Sequence, residues 1–214
     1  HGDGNAAMAG NVLYFDDSHP HVRVIDVDAS PAYPECSVYR RRLIHVHAEE
    51  GRDYVIDCFE VVGGDTHDYF LHGCADEQGE LTTSVEFTTP VPTLVPDWGG
   101  TEPHTGEDCV DITGEKHHAC VFLRNIMSTA AGTPFQATWR YGDAGLTTFL
   151  FPESGSTAYR FESPSIRNAG ELDQNLDQHH MNGVMLRHTG GVSRFLAVHV
   201  PFRGEPWVTK VAVE

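Results

Sequence analysis

The sequence predicts an all-β protein, an antiparallel multi-stranded β-sandwich that forms one domain over residues 1–214. Short segments rich in Val, Ile, Thr, Tyr and Phe recur along the chain, separated by clusters of Gly, Pro, Asn or Asp. No window keeps the helical period, and the best one, around 169–179, is short and polar. With 40% hydrophobic residues, 214 residues are enough to bury a substantial core.

Twelve segments have strand composition, and their number without intervening helices favours a sandwich. In chain order they are 11–15, 22–29, 37–48, 53–62, 66–73, 117–125, 135–141, 146–151, 156–161, 183–189, 193–200 and 207–214. Residues 88–116 are rich in Pro and Gly, so they are predicted to form a long surface excursion between strands.

A run of three arginines lies within the strand predicted at 37–48. Successive side chains of a strand point to opposite faces, so Arg40 and Arg42 face one way and Arg41 the other. The run is therefore not predicted to form a basic patch.

The net charge of −17 comes from 14 Lys and Arg against 31 Asp and Glu. Such an acidic surface repels nucleic acid and anionic lipid, so neither nucleic acid nor a membrane is expected as a partner. No apolar run approaches the roughly 20 residues that span a bilayer. The first residue is His1 and no signal peptide precedes it, so we expect a processed chain or part of a longer one.

The five cysteines are an odd number, they are widely spaced, and they include no CxxC. This is neither a disulfide framework nor a zinc-ribbon pattern. Cys58 lies in an apolar segment and is predicted to be buried. Cys109 and Cys120 could pair across a loop, and the sequence leaves that open.

Two pairs among the fourteen histidines are candidates for a site. His45 and His47 are two apart, so both leave the same face of a strand at a separation that suits a shared metal ion. Spacing indicates no third ligand, and partly exposed strand histidines are the alternative. His67 and His72 are five apart and fall on opposite faces, so they are predicted to make structural hydrogen bonds near a turn.

Aromatic residues are the candidates for binding sugar rings. Trp98, in the Pro- and Gly-rich segment, is the better stacking candidate, while Trp139 is predicted to lie in the core. Trp207, Tyr33 and Tyr141 complete the set that an aromatic platform would need. No GxSxG, P-loop, HExxH or nucleotide-binding glycine pattern occurs.

Several segments together resemble the heparinase II/III-like polysaccharide lyases, in the order in which that family has them. The most specific are "YRRRL" at 39–43 and "YVIDCFEVVGGDTHDYFLHG" at 54–73. The others are Asp3-Gly4, "GNVLYFDD" at 10–17, "AYPECSVYRRRL" at 32–43, "FQATW" at 135–139 and "SRFLAVHVPFRGEPWVTKV" at 193–211.

The resemblance implies a function that the composition does not. Such lyases join an N-terminal helical toroid to C-terminal antiparallel β-sheets, and they cleave uronic-acid polysaccharides by β-elimination in the cleft between them. The substrate carboxylate is neutralised, a Tyr or His removes the C5 proton, and the leaving glycosidic oxygen is protonated. Many members also hold zinc through a His-rich motif, an Asp, and a His in a His-Asn-Thr strand. The family is typically periplasmic or extracellular.

This chain departs from the family pattern in two respects. It has no helical toroid, so the toroid's catalytic Tyr has no counterpart, and His1-Gly2 does not reproduce the His-Asn-Thr motif. No catalytic or metal residue is therefore carried over, no cofactor is expected in this chain itself, and zinc is an expectation only for a longer parent protein.

Three hypotheses follow. The first is the C-terminal β-sandwich of such a lyase, inactive alone, whose partners are the polysaccharide and the toroid. The second is a free-standing carbohydrate-binding sandwich. The third is a metal-dependent enzyme that uses His45 and His47.

Overall fold

The computed structural model describes residues 10–94, 123–165, 175, 178 and 180–213. Within these ranges the chain forms thirteen β-strands and one turn of 3-10 helix at Ser30–Ala32, and no α-helix. The strands are β1 Asn11–His19, β2 Val22–Asp28, β3 Val38–Glu49, β4 Arg52–Val62, β5 Thr66–His72, β6 Glu80–Thr83, β7 Thr89–Pro90, β8 Arg124–Ala131, β9 Phe135–Tyr141, β10 Ala144–Phe151, β11 Ser156–Pro164, β12 His180–Thr189 and β13 Val192–Arg203. The predicted all-β class is confirmed.

The strands form two antiparallel sheets that pack face to face. The large sheet has the order β1-β2-β3-β4-β13-β10-β9-β6, and the small sheet has the order β5-β12-β11-β8-β7. Short turns join β1 to β2 and β3 to β4, whereas β13 reaches the middle of the large sheet from far along the chain. The predicted antiparallel sandwich is therefore confirmed.

The main core lies between the two sheets, where alternate residues of each strand point inward. Phe59 and Phe195 of the large sheet stack at 5.9 Å between ring centroids, against Leu186 and Val184 of the small sheet. Trp139 is 2% exposed, and its indole N–H donates to the Asn182 carbonyl at 2.9 Å. The core position predicted for Trp139 is thus confirmed.

The segment after β13 covers the outer face of the large sheet. The strand predicted at 207–214 is wrong, because residues 207–213 have no strand pairing. The apolar residues of this segment pack onto the sheet instead of extending it. The cluster consists of Phe149, Val198 and Val200, with Tyr54, Ile56, Phe151, Trp207, Val208 and Val211 packed against them.

Two short strands and one longer strand were not predicted. β6 and β7 are edge strands of four and two residues, too short for a composition signal. β8 begins at Arg124, near the end of the strand predicted at 117–125, of which residues 117–122 lie outside the described ranges. The predicted excursion at 88–116 is described only to residue 94, and this part contains β7 and the buried Leu94.

Strands β1, β2 and β3 extend the large sheet beyond the small one, and we call them the open wing. The buried residues of the main core come from β4, β13, β10, β9 and β6 on the large sheet, and none comes from the wing. On the edge strand β1, Val12, Leu13, Tyr14 and Phe15 are each more than half exposed. The wing therefore leaves its inner face, on the core side, uncovered by the described residues.

Candidate functional site

The candidate site is a groove where the inner face of the open wing meets β5, the edge strand of the small sheet. Its volume is about 450 Å³. Ile25, Leu43 and Phe70 supply apolar walls, while Arg41 and Asp68 supply charge. β2 and β3 place the side chains of Ile25 and Leu43 next to each other, because the two residues pair in the antiparallel register.

A buried carboxylate, Asp57, lies behind this groove and bonds to Arg41 and Tyr69, which line it. In the large sheet, Asp57 lies opposite Leu43 of β3 on one side and opposite Ala197 of β13 on the other. The side chains of all three residues point to the inner face. Asp57 is fully buried and accepts hydrogen bonds from Arg41 Nε at 2.9 Å and from the Tyr69 hydroxyl at 2.7 Å. Burial would raise the pKa of Asp57, but contacts from His199, Arg41 and Tyr69 outweigh it and lower the pKa to about 2.

Tyr69 and His199 complete the network behind Asp57. His199 Nε2 lies 3.2 Å from the Tyr69 hydroxyl, and His199 Nδ1 lies 2.9 Å from Thr148 Oγ1. Burial, followed by the Asp57 charge, raises the pKa of the Tyr69 phenol. Tyr69 therefore stays a neutral hydrogen-bond donor to Asp57. A tyrosine that acts as a base must instead be deprotonated.

Arg41 is the member of the network that reaches the groove mouth. Its side chain is 50% exposed, and its guanidinium carbon lies 5.6 Å from the centre of the Tyr69 ring. The buried Asp57 thus holds a cation in a fixed place at the edge of an apolar groove. Chemically, the arrangement can position a charged group of a partner or ligand, whereas its acid and base groups are committed to one another.

The other two arginines of the run lie on the outer face, and the predicted split of Arg40 and Arg42 from Arg41 is confirmed. Asp26 is 1% exposed and accepts from Arg40 Nε and Arg42 Nε, each at 2.7 Å. The hydrogen bond from Arg40 exceeds the opposing effect of burial and, with Arg42, lowers the pKa of Asp26 to about 2. Because each of the three arginines pairs with a carboxylate, the run does not form a basic patch.

The structure places His45 and His47 on the inner face of β3, close to Asp53 of β4. The two nitrogens His45 Nε2 and His47 Nδ1 lie 3.1 Å and 2.9 Å from the same atom, Asp53 Oδ1. Among the residues the structure describes, no group of three or more His, Cys, Asp or Glu side chains is placed so that it could hold a metal ion. The candidate metal pair thus has a carboxylate neighbour that its spacing did not indicate.

His67 and His72 make local hydrogen bonds, which confirms the structural role predicted for them. His67 is buried, with Nδ1 2.7 Å from Ser193 Oγ and Nε2 2.6 Å from the Gly63 carbonyl oxygen. His72 is exposed and contacts the Gly73 carbonyl oxygen at 2.9 Å. His67 ties the turn between β4 and β5 to β13.

The aromatic candidates within the described ranges pack against the protein itself. Tyr33 stacks on Tyr39 at 4.1 Å between centroids, and the indole N–H of Trp207 donates to Pro201. The Tyr141 hydroxyl accepts from the Cys74 backbone N–H. Trp98, the preferred stacking candidate, lies outside the described residues.

The cysteine predictions have a mixed outcome. Cys58 is only half-buried, on the outer face beside Arg42, so the predicted burial is met only in part. Cys36, Cys58 and Cys74 are free thiols. Cys109 and Cys120 lie outside the described residues, so their pairing stays open.

The sequence did not lead us to predict that Asp57, Tyr69 and His199 form one network. A signal was present, because Asp57 is a lone carboxylate between Ile56 and Cys58 in an apolar strand. A carboxylate that a strand turns inward needs a cation and hydrogen-bond donors. The inward-facing Arg41 of the preceding strand was the candidate partner.

A comparison with protein-family models and with curated proteins finds no match for this chain. The fold and the site define this protein as an antiparallel β-sandwich with an open wing and a groove beside it. Among the described residues, no helix has the length and apolar character needed to cross a membrane.

Proposed function

We propose that this chain is the C-terminal β-sandwich of a heparinase II/III-like polysaccharide lyase, which cleaves uronic-acid polysaccharides by β-elimination. In this proposal the sandwich alone is not catalytic. It forms one wall of a cleft, and the opposite wall belongs to a helical toroid. The parent enzyme would be periplasmic or extracellular, and zinc would be a feature of the longer parent and not of this chain.

The observation that supports the proposal best is where the resembling segments meet in space. "YRRRL" supplies Arg41 from β3, and "YVIDCFEVVGGDTHDYFLHG" supplies Asp57 from β4 and Tyr69 from β5. These three side chains form the network at the groove. The motifs with the strongest resemblance thus build one feature and are not scattered over the fold.

The open wing supplies the surface that such a toroid needs. Its inner face presents Ile25 and Val27 beside the groove, and Phe15 on β1 is 61% exposed on the same face, since it pairs with Ile25. A monomeric protein rarely leaves a contiguous apolar sheet face in water. A helical domain seated on the wing would cover this face and place the groove inside a cleft.

The chemistry of the network supports a non-catalytic sandwich. Proton abstraction from C5 needs a base that can be freed at the operating pH. Tyr69 is 3% exposed and donates to Asp57, which favours its neutral form. The carboxylate-neutralising and proton-transfer groups are therefore assigned to the other side of the cleft.

The decisive experiment is a lyase assay on the purified 214-residue chain and on a longer natural polypeptide that includes the N-terminal region. Heparan sulfate, alginate, hyaluronan and other uronate polymers are offered, and the ultraviolet absorbance of the unsaturated product is followed. We expect product from the longer polypeptide only. Cleavage by the 214-residue chain alone, or cleavage of no uronate polymer by the longer one, would overturn the proposal.

A pair of substitutions on β1 tests the role of the wing. Phe15 lies on the inner face and Tyr14 on the outer face, because they pair with Ile25 and Asp26 respectively. Both are more than half exposed, so neither Phe15→Asp nor Tyr14→Asp should unfold the sandwich. In the longer polypeptide we expect Phe15→Asp to lower activity at least about 10-fold, since a buried charge at an interface costs more than 1.4 kcal/mol. Equal activity of the two variants would remove the wing from the proposed interface.

A further inference from the structure

A second arginine faces inward in this sandwich, on the side opposite the open wing. Arg160 of β11 lies opposite Val184 of β12, which belongs to the main core, so the Arg160 side chain leaves its strand on the core side. The other inward-facing arginine, Arg41, is paired with the buried Asp57. Arg160 makes no hydrogen bond or ion pair with any residue that the structure describes, and it lines a cavity instead.

The cavity lies between β6 of the large sheet and β8 and β11 of the small sheet, at the edge where the two sheets part. Its volume is about 420 Å³, within the range of about 300–1,000 Å³ of sites that hold small organic ligands. Phe87 and Met127 are half-buried and supply apolar wall. The polar and charged side chains that line the cavity are Arg160, Asn125, Glu86 and Glu162.

A bulge in β8 shapes the polar wall of this cavity. The pairing of β11 with β8 shifts register between Arg160 and Glu162, which leaves an extra residue in β8. Asn125, at the bulge, has a φ of 49° and is the one non-glycine residue with a positive φ among the described residues. Its Nδ2 donates to Glu162 Oε2 at 2.9 Å. Bulges and left-handed non-glycine residues concentrate where a strand re-aims side chains at a functional site.

We propose that this cavity binds one uncharged pyranose residue of a polysaccharide. Arg160 can only donate hydrogen bonds and the carboxylates of Glu86 and Glu162 can only accept them, whereas a sugar hydroxyl does both. Neighbouring hydroxyls of one ring can therefore accept from Arg160 and donate to a carboxylate. The apolar face of the same ring would pack on Phe87. The proposal goes beyond the lyase function and does not depend on it.

The charges on the cavity wall favour an uncharged sugar over a uronate. Two carboxylates against one guanidinium leave an excess of negative charge in the cavity, and the whole chain carries a net charge of −17. A uronate carboxylate bound here would lie within the Debye length, about 8 Å at physiological salt, of both glutamates. The ligand of this cavity is therefore a different sugar from the one that the proposed lyase cleaves.

The test is isothermal titration calorimetry of the purified 214-residue chain with oligosaccharides. The uncharged probes are cellohexaose, maltohexaose, mannohexaose and chitohexaose, and hexamannuronate is the charged comparison. We expect at least one uncharged hexamer to bind, and hexamannuronate to bind at least about 10-fold more weakly than that hexamer. Arg160→Gln should weaken the binding at least about 10-fold, because hydrogen bonds to the guanidinium are charge-assisted.

Arg194→Gln is the matched control, because Arg194 is an exposed arginine of β13 that lies outside the cavity and pairs with Glu60. Its affinity for the hexamer should equal that of the unsubstituted chain. Arg160 is exposed and unpaired among the described residues, so both variants should unfold at the same urea concentration as the unsubstituted chain. The proposal would be overturned if no uncharged hexamer bound, if hexamannuronate bound most tightly, or if Arg160→Gln left the affinity unchanged. None of these results bears on the lyase assay, since they measure binding and not cleavage.

Discussion

Replacing Asp57 with Asn should destabilise the fold. Asparagine keeps the shape of the side chain but not its charge. Its amide group would turn two donor hydrogens toward Arg41 or Tyr69, which are donors themselves. The buried network would lose its only anion, while the packing around it would stay unchanged.

The size of the expected loss of stability follows from the burial of Asp57 and the exposure of Arg41. Charge-assisted hydrogen bonds contribute about 1.5–3 kcal/mol each, and Asp57 accepts them from Arg41 and Tyr69. Breaking a fully buried ion pair costs about 3–5 kcal/mol. Arg41 is 50% exposed and can turn to water, so the cost should fall near the lower end. We expect about 3 kcal/mol, or a midpoint lower by roughly 6–12 °C.

The assay is equilibrium unfolding in urea, followed by circular dichroism. Asp143→Asn is the matched control, because Asp143 also pairs with an arginine, Arg203, but the two side chains are 67% and 77% exposed. An exposed pair contributes about 0–1 kcal/mol, so the control should be nearly neutral. A loss below about 1 kcal/mol for Asp57→Asn would refute the view that this network stabilises the groove.

The difference in stability between the unsubstituted chain and Asp57→Asn should also depend on pH. The pKa of Asp57 falls from an ordinary 3.8 to about 2 in the folded state, so its stabilising effect is complete above about pH 4 to 5. That contribution is lost as the pH falls through about 2. The lowering corresponds to roughly 2–3 kcal/mol. The stability gap between the unsubstituted chain and Asp57→Asn should therefore narrow between pH 4 and pH 2.

Two further substitutions test the turn and the covering segment by the same urea assay. Gly63 has a φ of 105° and an added Cβ would lie 2.1 Å from the Glu35 carbonyl oxygen, so Gly63→Ala should cost about 3 kcal/mol or more. Gly142→Ala, with a φ of 59° and open space around the Cβ, should cost only about 1 kcal/mol. Trp207→Ala should cost about 2 kcal/mol and increase proteolysis after β13, whereas Lys210→Ala in the same segment should do neither. If Gly63→Ala cost no more than Gly142→Ala, the contact assigned to Gly63 would be wrong. If Trp207→Ala cost no more than Lys210→Ala, the packing assigned to Trp207 would be wrong.

The fold was more predictable than the site, for a physical reason. Strand composition and two-residue alternation are local, so they gave the all-β class and the split of Arg40 and Arg42 from Arg41. The site joins Asp57 and Tyr69 to His199, which is 130 residues from Tyr69 in sequence. No local pattern records which distant strand lies beside another.

The errors also have local causes. β8 contains "MSTAA", whose small and polar residues carry little strand composition, and it was not predicted. The segment 207–214 has alternating apolar residues, but Trp207, Val208 and Val211 pack onto the outer face of the large sheet. Composition reports whether a segment is compatible with a strand, and tertiary contacts decide whether it becomes one.

The position of β13 has a consequence for how a ribosome can produce this fold. β13 follows the other twelve strands of the described residues, yet it lies between β4 and β10 in the middle of the large sheet. Until β13 emerges, the described part of the large sheet exists as two separate half-sheets, β1 to β4 and β10-β9-β6, each with an unsatisfied edge. Such edges invite pairing with other nascent chains. The growing polypeptide should therefore depend on chaperones until β13 is made, and its large sheet should assemble after translation has passed residue 203.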